Sequence, residues 1–597
     1  MYSQTVLAVE EYSKRLQDRE RRVAHYEALH MRLGNVRLAL AVVAAGIAWE
    51  SLRRHALSPW WMFVPLVLFV FVAAYHSRIL RARDLAQRAV SFYRSGLARI
   101  EDRWQGSGQT GERFNDPHHV YADDLDLFGR GGLFELLSTA RTRIGEEALA
   151  KWLLSPSAVS EIEERHSAVR ELRDELDLRE DLAILGEDAG VGVYPEALLC
   201  WAEAPNQMKP EWIPWLAPFL GMAAVTAAVV WGYFGIATPF LLIVLVEALL
   251  TYRLRRPLEE VLHGSEQAFR DLALLSGVLA RVERHSFRAS RLQSLQHELT
   301  SHQLTGSRAI ARLSTIVDLS DSRDNVFVRV LNIPILYSVQ VAFAAERWRS
   351  AHGHTVRTWL RVTGEIEALL CLATYSYEHP DDPFPEFVQG AASFDGTEIG
   401  HPLIPAGTCI RNNVRLSDGR KVFLVSGSNM SGKSTLLRIV GVNAVLAMAG
   451  GPVRAQRLRL TPLHVGASIR VNDSLQEGSS RFYAEITRLR KLFDFTSADP
   501  PLLFLLDELL QGTNSNDRRI GAEGIVRALL NRGAIGLVTT HDLALVDIGD
   551  ALNGHLYNVH FQEDFENGRM HFDYKLQEGV VTKSNGLALM RSIGLDV

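Results

Sequence analysis

The sequence predicts an α/β C-terminal domain preceded by an all-α region that two helical hairpins of membrane-spanning length interrupt. Three observations predict it. Two long stretches lack charge altogether. The segments around them repeat apolar residues at helical spacing. Beyond His379, short β-rich runs alternate with helices around a glycine-rich loop.

Composition sets the outer limits. At 597 residues with 47% hydrophobic and 22% charged side chains, the chain is too apolar to be disordered and long enough for roughly three or four units. Cys200, Cys371 and Cys409 lie far apart without metal-ligand spacing, which predicts a reducing compartment, no disulfide framework and no metal cluster. A net charge of −5 excludes a globally basic nucleic-acid binder, so any DNA contact must come from a local patch. The N-terminal segment is charged and lacks the apolar core of a cleavable signal.

The first hairpin is read from Leu38–Trp49 and Ala56–Tyr75. The second stretch is about 20 residues without a charge, enough for a helix across a bilayer. The first reaches that length only with Leu33–Arg37 included, so Arg37 is expected to snorkel to the interface. Trp212–Val246 holds no charge, is too long for one span and predicts two short ones broken near Gly235–Pro239, with Glu247 near the end of the second. Arg21, Arg22, Arg32, Arg37, Arg78, Arg81, Arg83, Lys209, Arg253, Arg255 and Arg256 flank the outer ends, against Arg53 and Arg54 between spans. Counting positive charges places both termini and the bulk of the chain in the cytoplasm, on a multi-pass inner-membrane protein. The alternative is a pair of buried hairpins in a soluble protein, and Glu247 weighs toward it for the second.

Phe134–Leu154, Val159–Ile184, Glu259–Ile316 and Val339–Tyr377 read as helices with dense Glu/Arg between apolar positions. HPDDPFP (His379–Pro385) breaks the helical pattern and marks a boundary.

The strongest chemical signal is GSNMSGKST, Gly427 to Thr435, a complete G-x-x-x-x-G-K-[ST] loop between an apolar strand and a helix. Its glycines let backbone amides close on phosphate oxygens, Lys433 places a charge at the β- and γ-phosphates, and Ser434 offers its hydroxyl to Mg²⁺. Leu502–Leu506 reads as a buried strand ending in Asp507, suited to the metal shell, and Glu508, suited to deprotonating water. A third strand, Ile535–Thr539, leads to His541, a candidate γ-phosphate sensor.

In order, GSNMSGKST, EGSSRFYAEI (Glu477–Ile486), LLDELLQGTNSNDR (Leu505–Arg518), TTHD (Thr539–Asp542) and TKSNG (Thr582–Gly586) resemble the ATPase domain of the MutS family, relatives of the ABC-type ATPases. HPLIP (His401–Pro405) resembles the opening of that domain, and Thr142–Pro156 with Gly364–Glu378 resemble the ends of the family's helical core and lever. The resemblance implies a P-loop ATPase that uses ATP and Mg²⁺. Gly427, Ser428, Asn429, Met430, Ser431, Gly432, Lys433, Ser434 and Thr435 would hold the triphosphate. Ser434 and Asp507 would hold the metal, Glu508 would be the general base and His541 the switch. It also implies a homodimer in which Ser480 reaches the partner's γ-phosphate and Asn514–Asp517 line the interface.

Departures limit the inference. An arm and a hairpin occupy the first 120 or so residues, where repair members carry a mismatch-reading domain, so mismatch reading is not carried over. Cys409 aligns where repair members stack an aromatic on adenine, which leaves the base-stacking residue open. The expected organisation is an arm over 1–35, transmembrane hairpins over 36–76 and 212–251, a MutS-like helical core over 77–211 and 252–388, and the ATPase domain over 389–597. The expected function is a membrane-anchored MutS-like ATPase coupled to DNA, with the lipid bilayer as a second partner. A mechanical or transport-coupled membrane ATPase without DNA binding, and a soluble repair relative, stand as alternatives. Against a standard ABC exporter is the absence of an L-S-G-G-Q run before Asp507.

Overall fold

The computed structural model describes residues 4–52, 58–192, 194–206, 208, 212–300, 305–321, 336–417, 419–428, 431–470, 481–496, 499–511, 513–541, 554–566 and 569–580. The chain divides into two compact units, Met1–Gly108 with Tyr377–Asp381, and Gln109–Ser376 with Asp382–Val597.

The first unit is a pair of long packed helices, α1 (Gln4–Leu52) and α2 (Phe63–Ile100). Away from the tip its packing is aromatic and charged. Tyr12 stacks on Tyr377 and meets Tyr93 edge-on, and Arg99 grips Glu378 through two 2.7 Å hydrogen bonds. Gly96 is required there, because a Cβ would fall 2.5 Å from the Tyr12 ring. Toward the tip the packing stops being two-sided. Leu38, Val42, Trp60, Leu66 and Phe71 are all more than half exposed, a long apolar surface of the kind that marks an interaction site for protein or membrane.

The described helices of the second unit are α3 (Leu133–Leu137), α4 (Arg143–Leu154), α5 (Val159–Asp174), α6 (Leu176–Gly192), α7 (Pro195–Glu203), α8 (Ile213–Phe234), α9 (Thr238–Arg253), α10 (Arg255–Arg284), α11 (Ser290–Thr300), α12 (Gly306–Asp321) and α13 (Tyr337–Glu378), the last two residues of which belong to the first unit. Three of the helical runs read from sequence are therefore divided. Phe134–Leu154 breaks where the Thr142 hydroxyl caps α4 by accepting from Gly145 N at 3.1 Å. Val159–Ile184 breaks at Glu175, and Glu259–Ile316 becomes α10, α11 and α12. Apolar spacing continues across these joints, so periodicity alone does not reveal them.

The helices α8 and α9 form a hairpin turned at Gly235, whose φ of 73° suits glycine. Among the described residues, three helices are long and apolar enough to cross a membrane: Thr5–Ser51, Trp60–Ile100 and Trp215–Phe234. The fourth expected span, α9, has 16 residues. At about 1.5 Å per residue that is shorter than a bilayer's hydrocarbon core of roughly 30 Å. Glu247 on α9 is fully buried, and neither carboxylate oxygen has a hydrogen-bond partner among the described residues.

After α13 the chain turns through His379–Pro385 into two sheets. The smaller contains β1 (Glu386–Phe387), β2 (Phe394–Ile399), β3 (Asn412–Leu416) and β5 (Arg457–Leu460), in the order β1-β5-β2-β3. The larger has the order β10-β9-β4-β8-β7-β6. Its strands are β4 (Val422–Ser426), β6 (His464–Ser468), β7 (Leu502–Leu506), β8 (Ile535–Thr540), β9 (Leu556–Glu566) and β10 (Arg569–Glu578). All neighbours are parallel except β9 and β10. The central strands β4, β7 and β8 are buried at every position, as strands covered on both faces must be. Among the described residues, three helices accompany the sheet: α14 (Lys433–Ala449), α15 (Arg481–Phe495) and α16 (Ser515–Asn531).

Candidate nucleotide site

Strand register assembles the site. Ser426 at the end of β4 pairs with Thr540 of β8, and Val538 of β8 pairs with Leu506 at the end of β7. The residues that follow, Gly427, His541 and Asp507, therefore leave the same edge of the sheet on adjacent strands. This is the carboxyl edge, where open α/β sheets bind ligands.

The loop between β4 and α14 depends on two glycines. Gly427 and Gly432 have φ of 153° and 101°, and a Cβ on Gly427 would lie 2.7 Å from the Ser431 hydroxyl. Lys433 is buried, with Nζ donating to the carbonyls of Gly427 at 2.9 Å and Ser428 at 2.7 Å. Burial lowers its pKa, and Glu508, Asp507 and Glu563 act in the opposite sense. The Ser431 hydroxyl is buried without a hydrogen-bond partner among the described residues, an unused polar atom in the cradle. Ser434 and Thr435 lie in the first turn of α14.

The acidic side is one connected network. The Thr539 hydroxyl donates to Asp507 and accepts from Glu508 N at 2.9 Å. Glu508 has φ of 51°, and its carboxylate meets His541 Nε2 at 2.5 Å. Lys433 Nζ lies 3.5 Å from His541 Nδ1. A lysine only donates, so Nδ1 accepts, and Nε2 carries the proton given to Glu508. Lys433, Asp507, Glu508 and His541 are thus brought together. Asn429, Met430 and Ser480 lie outside the described residues, as does TKSNG.

A cavity of about 490 Å³ adjoins the loop, with Lys433, Ser434 and Glu508 at one part of its wall and Ile404, Ile410, Phe561 and Tyr574 among the apolar lining. A pocket of that size accommodates a nucleotide. Cys409 is not among its walls; its sulfur accepts from His401 N at 3.4 Å. Sequence reading missed the aromatic ring that is present. The β9–β10 pairing shifts register between Phe572 and Leu576, and this bulge carries Tyr574 at φ 54°. Asn412 holds the bulge by donating to Tyr574 O and accepting from Leu576 N, at 3.0 and 2.8 Å. A Cβ on Gly432 would sit 3.1 Å from the Tyr574 ring, which places the ring beside the phosphate loop.

Two further acids were not anticipated. Glu563 of β9 accepts from the Ser428 hydroxyl. Asp124, fully buried, accepts from Ile469 N at 2.8 Å, Arg470 N at 2.6 Å and the Arg488 guanidinium of α15. On the same helix, Glu485 accepts from Leu510 N at 2.7 Å, tying α15 to the turn after Glu508. Asn514 caps α16 by accepting from Asp517 N at 2.9 Å. His, Cys, Asp and Glu form no metal-binding group of three among the described residues.

Against this geometry, a family model described as MutS domain V matches residues 423–596. The endonuclease MutS2 of Thermus thermophilus is 36% identical over 196 residues, 33% of this chain and 25% of that protein. The DNA mismatch repair protein MutS of an Exiguobacterium species is 33% identical over 236 residues, 38% of this chain and 27% of the relative. That of Lactobacillus delbrueckii subsp. bulgaricus is 31% identical over 201 residues, 33% of this chain and 23% of the relative. The chain spans about a quarter of the length of these curated relatives. The region from β4 onward is therefore similar to the fifth domain of MutS, joined to a helix-rich N-terminal region.

Proposed function

We propose that this chain is a membrane-anchored MutS-like ATPase whose hydrolysis cycle is coupled to DNA binding or maintenance rather than to mismatch reading. The observation that carries the ATPase reading is the Lys433–His541–Glu508 chain beside Asp507 at the carboxyl edge of the sheet. The Ser431 hydroxyl, without a hydrogen-bond partner among the described residues, and the glycine cradle fit a triphosphate, and Ser434 with Asp507 offers the oxygen donors that Mg²⁺ takes. Bound there, Mg²⁺ would neutralise charge on the β- and γ-phosphates.

The chain's own groups do the rest. Lys433 exchanges its two loop carbonyls for phosphate oxygens. Glu508 accepts a proton from the attacking water, and His541, hydrogen-bonded to it, orients that carboxylate. Thr539 holds Asp507 and the Glu508 backbone in fixed relation. Tyr574, Phe561 and Ile410 receive the base, in place of a ring at Cys409. Ser480 completes the site of a second copy, which makes the homodimer the active form, and the tie from Glu485 to Leu510 gives α15 a path to sense it.

The exposed apolar lengths of α1, α2 and α8 support anchoring in the inner membrane with the ATPase domain in the cytoplasm. The DNA part of the proposal comes from the relatives, one a mismatch repair protein and one an endonuclease. A second reading, an ATP-driven mechanical membrane protein that binds no DNA, draws on the partnerless Glu247 in the second hairpin. The test is ATP turnover by the full chain in nanodiscs, with and without homoduplex, mismatched and branched DNA at fixed salt. Stimulation by DNA is expected; equal turnover with every DNA would favour the mechanical reading.

A further inference from the structure

The polar end of the first hairpin is organised around Arg37. The sequence predicts that this side chain reaches out to the interface. The structure instead turns it onto α2, where Nη1 donates to His76 Nδ1 at 3.0 Å and the guanidinium carbon lies 5.1 Å from the centre of the Phe69 ring. Arginine only donates, so His76 Nδ1 accepts, and the His76 proton sits on Nε2, which donates to His30 Nδ1 at 2.7 Å. His76 is buried, and Arg37 Nε is buried without a hydrogen-bond partner among the described residues. A cation is thus fixed between two helices with a donor unused.

On the tip side of Arg37 the same helices leave a groove of about 370 Å³ whose lining is wholly apolar, with Leu40, Ala41 and Ala44 from α1 facing Phe63, Leu66 and Phe69 from α2. Phe69 both walls the groove and lies beneath the guanidinium. Between Ala28 and Trp49 on α1, and between Phe63 and Arg83 on α2, the cations are Arg32, Arg37, Arg78, Arg81 and Arg83, with His30 and His76, and there is no acidic residue.

An apolar slot with a cation seated over one of its wall residues matches a molecule with an apolar chain and an anionic head. A second copy of this hairpin would bring the same arginines against these, like charge on like charge. We propose that the groove holds an acyl chain of an anionic phospholipid whose phosphate sits against Arg37. The proposal rests on the membrane reading of the hairpin and goes beyond it, since anchoring alone requires no preferred lipid.

The test is native mass spectrometry of the full chain released from nanodiscs of equimolar dioleoyl phosphatidylglycerol and dioleoyl phosphatidylcholine, after flotation has checked insertion. Wild-type protein is expected to retain phosphatidylglycerol in preference, and Arg37→Gln to lower that retention roughly tenfold. Ala44→Trp, which fills the groove and leaves every charge in place, is expected to lower it as well. Excess glycerol phosphate is expected not to displace the lipid. Equal retention of both lipids by a floating wild-type protein, unchanged retention in both variants, or displacement by glycerol phosphate overturns the site and leaves anchoring standing. A wild-type protein that does not float overturns anchoring and the site together.

Discussion

Strand β7 and the tip half of α2 are written in the same alphabet and end in opposite environments. Leu502–Leu506 is at most 1% exposed at every position, whereas Phe63, Leu66, Val70 and Phe71 are each exposed by more than half. The difference lies in length and company. Five apolar residues in a central strand are covered by helices of the same domain and end in the polar groups Asp507 and Glu508. Some twenty apolar residues on a helix packed against one other helix leave most of their circumference uncovered, and under the membrane proposal a lipid phase covers it. An apolar run reports burial, and its length reports in what.

Three outcomes break or sharpen that contrast. The largest effect is expected from Glu508→Gln, which keeps the hydrogen-bond geometry but removes the base. Turnover should fall about 10²- to 10⁴-fold while ATP binding persists and light scattering shows a dimer trapped with ATP. Flotation should be unaffected, because the substitution touches nothing in the hairpin. A monomer under those conditions would contradict the composite site.

Next, Val70→Arg places a charge in the exposed apolar length of α2. Insertion should weaken by about 2.5–3.5 kcal/mol, read as a smaller floated fraction, with turnover of the remaining protein unchanged. An unaltered floated fraction would mean that this face does not meet lipid.

The smallest effect concerns burial inside the protein. Glu367 of α13 is buried and accepts from Thr142 N at 3.1 Å, from the Thr142 hydroxyl at 2.5 Å and from Arg141 N at 3.4 Å. Burial raises its pKa to about 7 in spite of those hydrogen bonds. A carboxyl raised on folding contributes stability below its ordinary value, and that contribution is lost as pH rises through about 7. Wild type should therefore lose more thermal stability than Glu367→Gln between pH 5 and 8. Parallel loss in both proteins would remove Glu367 from the account.

How much of this was legible in the sequence follows from how local each feature is. GSNMSGKST, Asp507–Glu508 and His541 could be read because each is a strand end plus its next turn, fixed by a few consecutive residues. Tyr574 could not, because its place depends on a bulge pinned by Asn412 from another sheet, 162 residues away. Asp124 meets Ile469 and Arg488 across more than 340 residues, and only the folded chain brings them together. The helix joints at Thr142 and Glu175 were hidden by apolar spacing that runs through them. The hairpins were legible as lengths of apolar sequence, whereas the inward turn of Arg37 onto His76 required the partner helix.

The central claim is that one chain carries both the ATP chemistry and the lipid contact. The most direct measurement is density-gradient flotation of the reconstituted full chain, with phosphate release assayed in every fraction for wild type and Lys433→Ala. Turnover should rise with the vesicles and vanish in Lys433→Ala while the variant protein still floats. Turnover that stays in the lipid-free fractions, or that survives Lys433→Ala, would contradict the account.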